Sequence, residues 1–197
     1  KKTTLSSLRQ ARDLQFISVW SPTFLTTLLS GVPDTARLFP NLKVISCWTS
    51  GASAFYAQQL HVMFPNVKII PKGLMSTESV VTYNDLDGST VLNQSGFFEF
   101  IDEAGDILLL DELAVSSAYE VIITTASGLY RYRTGDMVVY QGLNAFGRPM
   151  FDFIGRSGLV SDMVGEKIDE AFVARAFKKL SIHGLMYPDP DARRYCV

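Results

Sequence analysis

The octapeptide Leu129-Tyr-Arg-Tyr-Arg-Thr-Gly-Asp136 carries an alternating aromatic and basic run into a Thr-Gly pair, with a carboxylate immediately after. Read as a strand, it places Tyr130 and Tyr132 on one face and Arg131 and Arg133 on the other, because successive side chains point to opposite sides. Gly135 then allows a tight turn that presents Asp136 just past the strand's end. An aromatic platform beside an acceptor-only carboxylate suits a nucleoside, with stacking for the base and hydrogen bonds for the ribose hydroxyls. The same peptide also fits an ordinary hairpin with cross-strand Tyr and Arg pairs. Its neighbours decide between the two.

Two other segments carry chemistry. In Lys72-Gly-Leu-Met-Ser-Thr-Glu78, hydroxyls and a carboxylate sit side by side in the loop after what reads as the third parallel strand. Ligands bind at such carboxyl-end loops in open α/β sheets. Glu78 there suits Mg²⁺, which takes one or two carboxylates plus phosphate oxygens, and the Thr77 hydroxyl suits a phosphate. The competing reading is a Ser76-Thr77-Glu78 turn that satisfies its own backbone groups. The other segment is Phe153-Ile-Gly-Arg156, followed further on by Gly165-Glu-Lys-Ile-Asp-Glu170.

The elements that must hold these segments fall into three stretches. Over residues 1–79 helix and strand alternate. Leu5, Leu8, Ala11 and Leu14 mark one helix face, Phe16 to Trp20 a buried strand, and Ser21-Pro22 a helix start closed by Gly31. Leu42 to Trp48 is a second strand, Ala54 to Phe64 a helix, and Val67 to Ile70 a third strand. That order predicts a partial parallel sheet with flanking helices and right-handed crossovers, an α/β layer. Residues 80–154 turn to closely spaced strands, including Tyr119 to Thr125, Leu129 to Arg133, Met137 to Gln141 and Met150 to Ile154, with turns at Ser127-Gly128, Thr134-Gly135 and Leu143 to Pro149. They predict a small antiparallel barrel-like unit or a curved sheet. Residues 155–197 begin with Gly155-Arg-Ser-Gly158 and continue into a helix whose Phe172, Val173, Ala176, Phe177 and Leu180 share one face, the start of a small α+β unit.

Composition narrows the class. With 197 residues, 47% of them apolar and 19% charged, the chain reads as a soluble globular protein. A net charge of −2, with no basic run beyond Lys1-Lys2, gives no footprint for nucleic acid. The apolar runs Ile107 to Leu110 and Met137 to Tyr140 are far short of the roughly 20 residues that span a bilayer, and the first residues lack the apolar centre of a signal peptide. Cys47 and Cys196 stand almost a chain length apart, which argues against a disulfide framework and fits a reducing, cytoplasmic setting. His61 and His183 are isolated, so no zinc cluster is expected. No Gly-x-Ser-x-Gly elbow supports serine-hydrolase chemistry. The absence of an initiating Met, and an ending in strand-like Arg194-Tyr-Cys-Val197, predict a fragment of a longer protein. Oligomeric state is not legible.

Together and in this order, these segments resemble the adenylate-forming superfamily of acyl-CoA synthetases, peptide-synthetase adenylation domains and luciferases. The resemblance is closest to bacterial members of the auxin-responsive promoter family, the acyl-acid amido synthetases. It rests on Val19 to Phe24, Lys43 to Ala52, Pro71 to Glu78, Gly128 to Asp136 and Gly155 to Glu170, and covers most of the chain.

The resemblance implies that Ser76, Thr77 and Glu78 lie at the ATP phosphates and Mg²⁺, with Thr77 and Glu78 the catalytic pair and Glu78 the metal ligand. It implies that Asp136 binds the ribose hydroxyls, that Arg156 supports the ribose and α-phosphate, and that Ser50, Gly51 and Ala52 line the adenine and acyl pocket. Ser157 and Gly158 fall at the hinge of a C-terminal lid. The implied reaction is ATP-dependent activation of a carboxylic acid as acyl-AMP, then transfer to an amine, typically of an amino acid. A phenylacetate-type acyl-CoA ligase and a non-catalytic nucleotide- or acid-binding homologue remain open. Phe24, Trp48 and Met75 are the wall residues expected for the acid. Where many members stack an aromatic residue on adenine, four before the glutamate, this chain has Leu74, so the packing is assigned elsewhere, to Tyr132. The family's Ser/Thr/Gly-rich phosphate loop and C-terminal lysine have no counterpart here, and no Gly-x-x-x-x-Gly-Lys replaces them. The chain alone is therefore expected not to complete catalysis.

Overall fold

The computed structural model of the chain describes residues 2–32, 34–51, 53–158, 160–161, 168–180, 184, 186–189 and 194–197. The alternating N-terminal pattern becomes α1 (Lys2–Gln10), β1 (Phe16–Ser18), α2 (Pro22–Leu29), the single turn α3 (Thr35–Leu38), β2 (Val44–Cys47), α4 (Ser53–Met63) and β3 (Lys68–Pro71). Ser21 caps α2, its hydroxyl accepting from the Thr23 N–H at 3.2 Å with Pro22 in the first turn, and Gly31 follows at φ +83°. Leu14, read as part of the first helix face, lies past its end and packs on the core instead.

β1, β2 and β3 form a parallel sheet in that order, Ile17 opposite Ile45 and Ile45 opposite Ile69. Leu25, Leu29, Phe39, Leu42, Ile45, Cys47, Leu60 and Phe64 fill the space between this sheet and its helices. Parallel strands need crossovers that cover a face, which explains the apolar runs of β2 and the inward stripes of α2 and α4.

The second stretch supplies β4 (Thr82–Asn84), β5 (Thr90–Leu92), β6 (Phe97–Ile101), β7 (Ile107–Leu108), a 3₁₀ turn at Leu110–Glu112, β8 (Ala118–Thr124), β9 (Tyr132–Leu143) and β10 (Pro149–Arg156). Their order is β4-β5-β10-β9-β8-β6-β7, with antiparallel neighbours throughout. The order ends on β4 and β7 without returning to its start, so of the two forms expected this is the open sheet. Its core holds Val81, Leu92, Phe98, Phe100, Tyr119, Val121, Ile123, Val138, Tyr140 and Phe151, with Phe100 stacked on Phe151 at 5.2 Å and 3° between planes. At the hairpin tips, buried Asp85 accepts from Arg148 at 2.7 Å and Asn144 at 2.9 Å, clasping the β4–β5 turn to the β9–β10 turn.

Two expectations need correction. The strand read as buried over Phe16 to Trp20 is only Phe16–Ser18, with Phe16 and Trp20 more than half exposed. Leu129 to Arg133 and Met137 to Gln141 are not two strands separated by a Thr-Gly turn. A single strand, β9, runs from Tyr132 through Thr134 and Gly135 to Leu143. Leu129 to Arg131 lie before it, and Arg131 has φ 48°, so the period-2 alternation across Tyr130 and Tyr132 does not hold.

The last elements are β11 (Val160–Ser161) against β12 (Ile168–Asp169), α5 (Glu170–Leu180), and β13 (Tyr187–Asp189) against β14 (Arg194–Cys196). In α5 Phe177 is buried, while Phe172 and Leu180 are exposed. Among the described residues no helix is long and apolar enough to cross a membrane.

Candidate functional site

Asp136 lies inside a β-bulge. Glu120 of β8 pairs with Met137 and Ile122 pairs with Arg133, so Val121 alone faces Thr134, Gly135 and Asp136. A bulge of this size interrupts the ladder and would orphan backbone groups in a buried sheet. The sequence supplies their partners. The Thr134 hydroxyl donates to the Val121 carbonyl at 3.1 Å and accepts from the Asp136 N–H at 3.0 Å. Arg156 Nη2 donates to the Thr134 carbonyl at 2.6 Å, and the Ser157 N–H donates to the Gly135 carbonyl at 2.6 Å. Gly135 takes φ +75°, which favours glycine. The Thr-Gly-Asp order is therefore a bulge solution: a hydroxyl to replace ladder bonds, a glycine for the left-handed step, and a carboxylate turned inward. Just before the bulge, Arg131 and Arg133 form two-pronged pairs with Glu99 and Glu120. The Arg133 guanidinium holds the Glu120 carboxyl below its usual range.

The second carboxylate comes from a hairpin-like loop after β3. Gly73 (φ +82°) opens it against β4, where an added Cβ would lie 2.3 Å from the Thr82 carbonyl oxygen. The Leu74 N–H donates to the Thr82 hydroxyl at 2.7 Å, and the Leu74 carbonyl accepts from the N–H groups of Val81 and Thr82. Met75 bridges Val80, and Ser76 N–H bonds the Ser79 carbonyl at 3.0 Å, leaving Thr77 and Glu78 at the tip. The Thr77 hydroxyl donates to Glu78 Oε2 at 2.9 Å. The Ser76 hydroxyl, Glu78's own backbone and the Thr77 hydroxyl hold the Glu78 carboxyl below its usual range.

Loop and bulge meet in a cavity of about 400 Å³ lined by Trp48, Ser50, Ser53, Gly73, Leu74, Met75, Ser76, Glu78, Thr134, Asp136, Phe153 and Arg156. Small-molecule sites commonly occupy about 300–1,000 Å³. Arg156 Nε sits 3.3 Å from Asp136 Oδ1. Burial pushes the Asp136 carboxyl up, Arg156 and the Thr134 hydroxyl pull it down, and the Glu78 charge pushes it up again. The cavity thus holds one carboxylate that ionises readily at its rim and one that is costly to ionise until something donates to it. Among the described residues no group of three or more His, Cys, Asp or Glu could hold a metal by themselves. A hard cation sharing Glu78 with phosphate oxygens is the arrangement this donor set fits.

Of the expected site residues, Ser50, Ser76, Glu78, Asp136 and Arg156 line this cavity, as do the wall residues Trp48 and Met75. Gly51 stands behind the wall, where a Cβ would meet Phe153 at 3.2 Å, and Thr77 reaches the site through Glu78. Tyr132 does not line it. The adenine-stacking expectation for Tyr132 has no counterpart in this lining: Tyr132 pairs with Ile123 of β8, on the far side of the bulge from Asp136, and is 42% exposed. Phe24 is also absent from the lining, exposed on α2. Ala52, and Gly165 to Lys167 of the second glycine segment, lie outside the described residues. Sequence reasoning missed Ser53, Thr134 and Phe153 as lining residues. Thr134 and Phe153 lie inside quoted motifs, and Leu74, noted for what it replaces, is itself part of the wall.

The descriptions "GH3 family central domain" and "GH3 family N-terminal domain" match residues 89–156 and 31–69. Indole-3-acetic acid-amido synthetase GH3.8 of Oryza sativa subsp. indica is 32% identical over 161 residues, covering 74% of this chain and 26% of that relative. Among solved structures, AtGH3.15 acyl acid amido synthetase in complex with 2,4-DB superposes with a TM-score of 0.76 at 20% identity, over 89% of this chain and 41% of that one. 2-Hydroxyisobutyryl-CoA ligase in complex with 2-HIB-AMP gives 0.67 at 14% identity, over 91% and 40%. The chain spans about a quarter to a third of the length of the curated relatives it matches.

Proposed function

From the premise that the chain belongs to the GH3 family, we propose that the protein carrying it is an ATP-dependent ligase that joins a small carboxylic acid to the amine of an amino acid. In the first step a carboxylate oxygen attacks the α-phosphorus of ATP, the bond to the bridging oxygen breaks, and pyrophosphate leaves. In the second, the amine nitrogen attacks the acyl carbon of the acyl-AMP, the carbon–oxygen bond to AMP breaks, and the amine gives up a proton.

The observation that carries this reading is that Glu78 and Asp136, remote in the chain, line one cavity with Arg156 bonded to Asp136. Asp136 accepts from the ribose hydroxyls, which return the hydrogen bonds its burial removed. Arg156 holds that carboxylate and faces the sugar and α-phosphate. Ser76 and Thr77 offer hydroxyls to the phosphates. Mg²⁺ would be held by Glu78 and would offset phosphate charge. Ser50 and Gly51 border the base and acid, and Trp48 and Phe153 provide the aromatic surface that Leu74 does not. The protein's contribution is positioning and charge compensation rather than covalent chemistry. The division at 79/80 and 154/155, and a cytoplasmic setting, belong to the same reading.

Acid-dependent exchange of labelled pyrophosphate into ATP by the full-length protein tests it. Exchange with at least one acid from a broad panel, abolished by Asp136→Ala, is the expected result, and exchange with no acid would overturn the proposal. Product analysis with amino acids and with coenzyme A then identifies the acceptor.

A further inference from the structure

We infer that Thr82 is a positioning residue for the carboxylate loop, fixing where Thr77 and Glu78 stand relative to Asp136. The inference rests on the ligase reading of the site. Thr82 is 2% exposed and lines no part of the cavity, yet three connections run through it. Its hydroxyl is the acceptor for the Leu74 N–H at 2.7 Å. Its own N–H returns to the Leu74 carbonyl at 3.2 Å. Its carbonyl oxygen is where a Cβ on Gly73 would collide, so the loop's first residue is pressed on it.

Below that joint the loop closes on itself through the Met75–Val80 bridge and the Ser76–Ser79 bonds. Thr77 and Glu78 therefore move with Gly73 and Leu74 as a unit. On its other side Thr82 pairs with Leu92 of β5, β5 pairs with β10 through Val91 and Met150, and β10 ends at Arg156 opposite Asp136. The parallel layer delivers the loop, but the antiparallel sheet sets its height over the cavity. A hydroxyl is required because the Leu74 amide needs a side-chain acceptor at that point, and an unpaired donor there would pull the loop toward water.

The test uses pyrophosphate exchange by the full-length protein, titrated separately with Mg²⁺, ATP and the acid. Thr82→Val keeps the shape and removes the acceptor. It should raise the half-saturating Mg²⁺ and ATP by roughly tenfold, the scale of one lost hydrogen bond to a positioned group, with a smaller effect on the acid KM through Met75. Thr82→Ser keeps the acceptor and should restore the wild-type Mg²⁺ response. Wild-type Mg²⁺ and ATP dependence in Thr82→Val would overturn the inference, as would an equal rise in Thr82→Ser, which marks damage unrelated to the acceptor. Should Thr82→Val not fold, amide hydrogen exchange at Leu74 of the wild-type protein decides. Slow exchange, slowed further by ATP with Mg²⁺, supports the joint, and exchange as fast as an open loop refutes it. A wild-type protein without acid-dependent exchange would count against the ligase reading, and Leu74 exchange would still judge the joint.

Discussion

Asp136 and Arg156 are direct partners across the β9–β10 ladder, and their side chains meet at 3.3 Å. The pair is set by strand register: any slip of β10 against β9 removes the cation from the carboxylate. The Arg156 guanidinium also holds the Thr134 carbonyl at 2.6 Å, so one side chain serves both the charge and the bulge that creates it.

This geometry gives two opposite pH shifts. On the ligase reading Asp136 accepts from both ribose hydroxyls when ionised; Arg156 lowers its pKa, and Glu78 raises it. Arg156→Gln should move the acid limb of kcat/KM for ATP to higher pH, whereas Glu78→Gln should move it to lower pH. Exchange rates across the acid range check both directions, and shifts of the same sign would contradict the assignment.

Stability without ligand should respond to Asp136 in the opposite sense from activity. Burial raises its folded-state pKa, so its favourable contribution is complete below the unfolded pKa of about 3.9 and is lost as pH rises through the folded value. Asp136→Asn should therefore melt higher than wild type at neutral pH, with the gap closing toward about pH 4. Thermal melts over that range decide, and an equal or lower melting temperature at neutral pH would be the contrary result.

Thr134 is 7% exposed, and its hydroxyl serves both the Val121 carbonyl and the Asp136 N–H. Thr134→Val keeps the shape and strands both groups, which should cost about 1–3 kcal/mol for each group left unpaired. Chemical denaturation measures the loss. Thr134→Ser should recover most of it.

Gly73 and Gly105 both adopt positive φ, at +82° and +90°, but only Gly73 has backbone within reach of an added Cβ. Gly105→Ala therefore reports backbone strain alone, about 1 kcal/mol or somewhat more. Gly73→Ala adds the collision with Thr82 and should be clearly more destabilising, and equal melting temperatures would argue against so close a joint.

Much of this protein was already decided along the chain by itself. Alternating patterns of period 3.6 and 2 separate the helix–strand stretch from the closely spaced strands, and Ser21-Pro22 and Gly31 bound α2 within a residue, because these signals are local. The motif segments likewise carry Glu78, Asp136 and Arg156 in their residue types. Tertiary structure decided how they act. Whether Thr134-Gly135 ends a strand or bulges within one depends on what Val121, thirteen residues earlier, offers as a partner, and no local pattern encodes that. Asp136 lines the cavity beside Arg156, while Tyr132, on the other side of the bulge, does not. The approach of Glu78 to Asp136 likewise depends on β4 joining the sheet that holds β9 and β10, a set of long-range pairings whose register is set by burial of Val81, Val91, Val138 and Phe151 together.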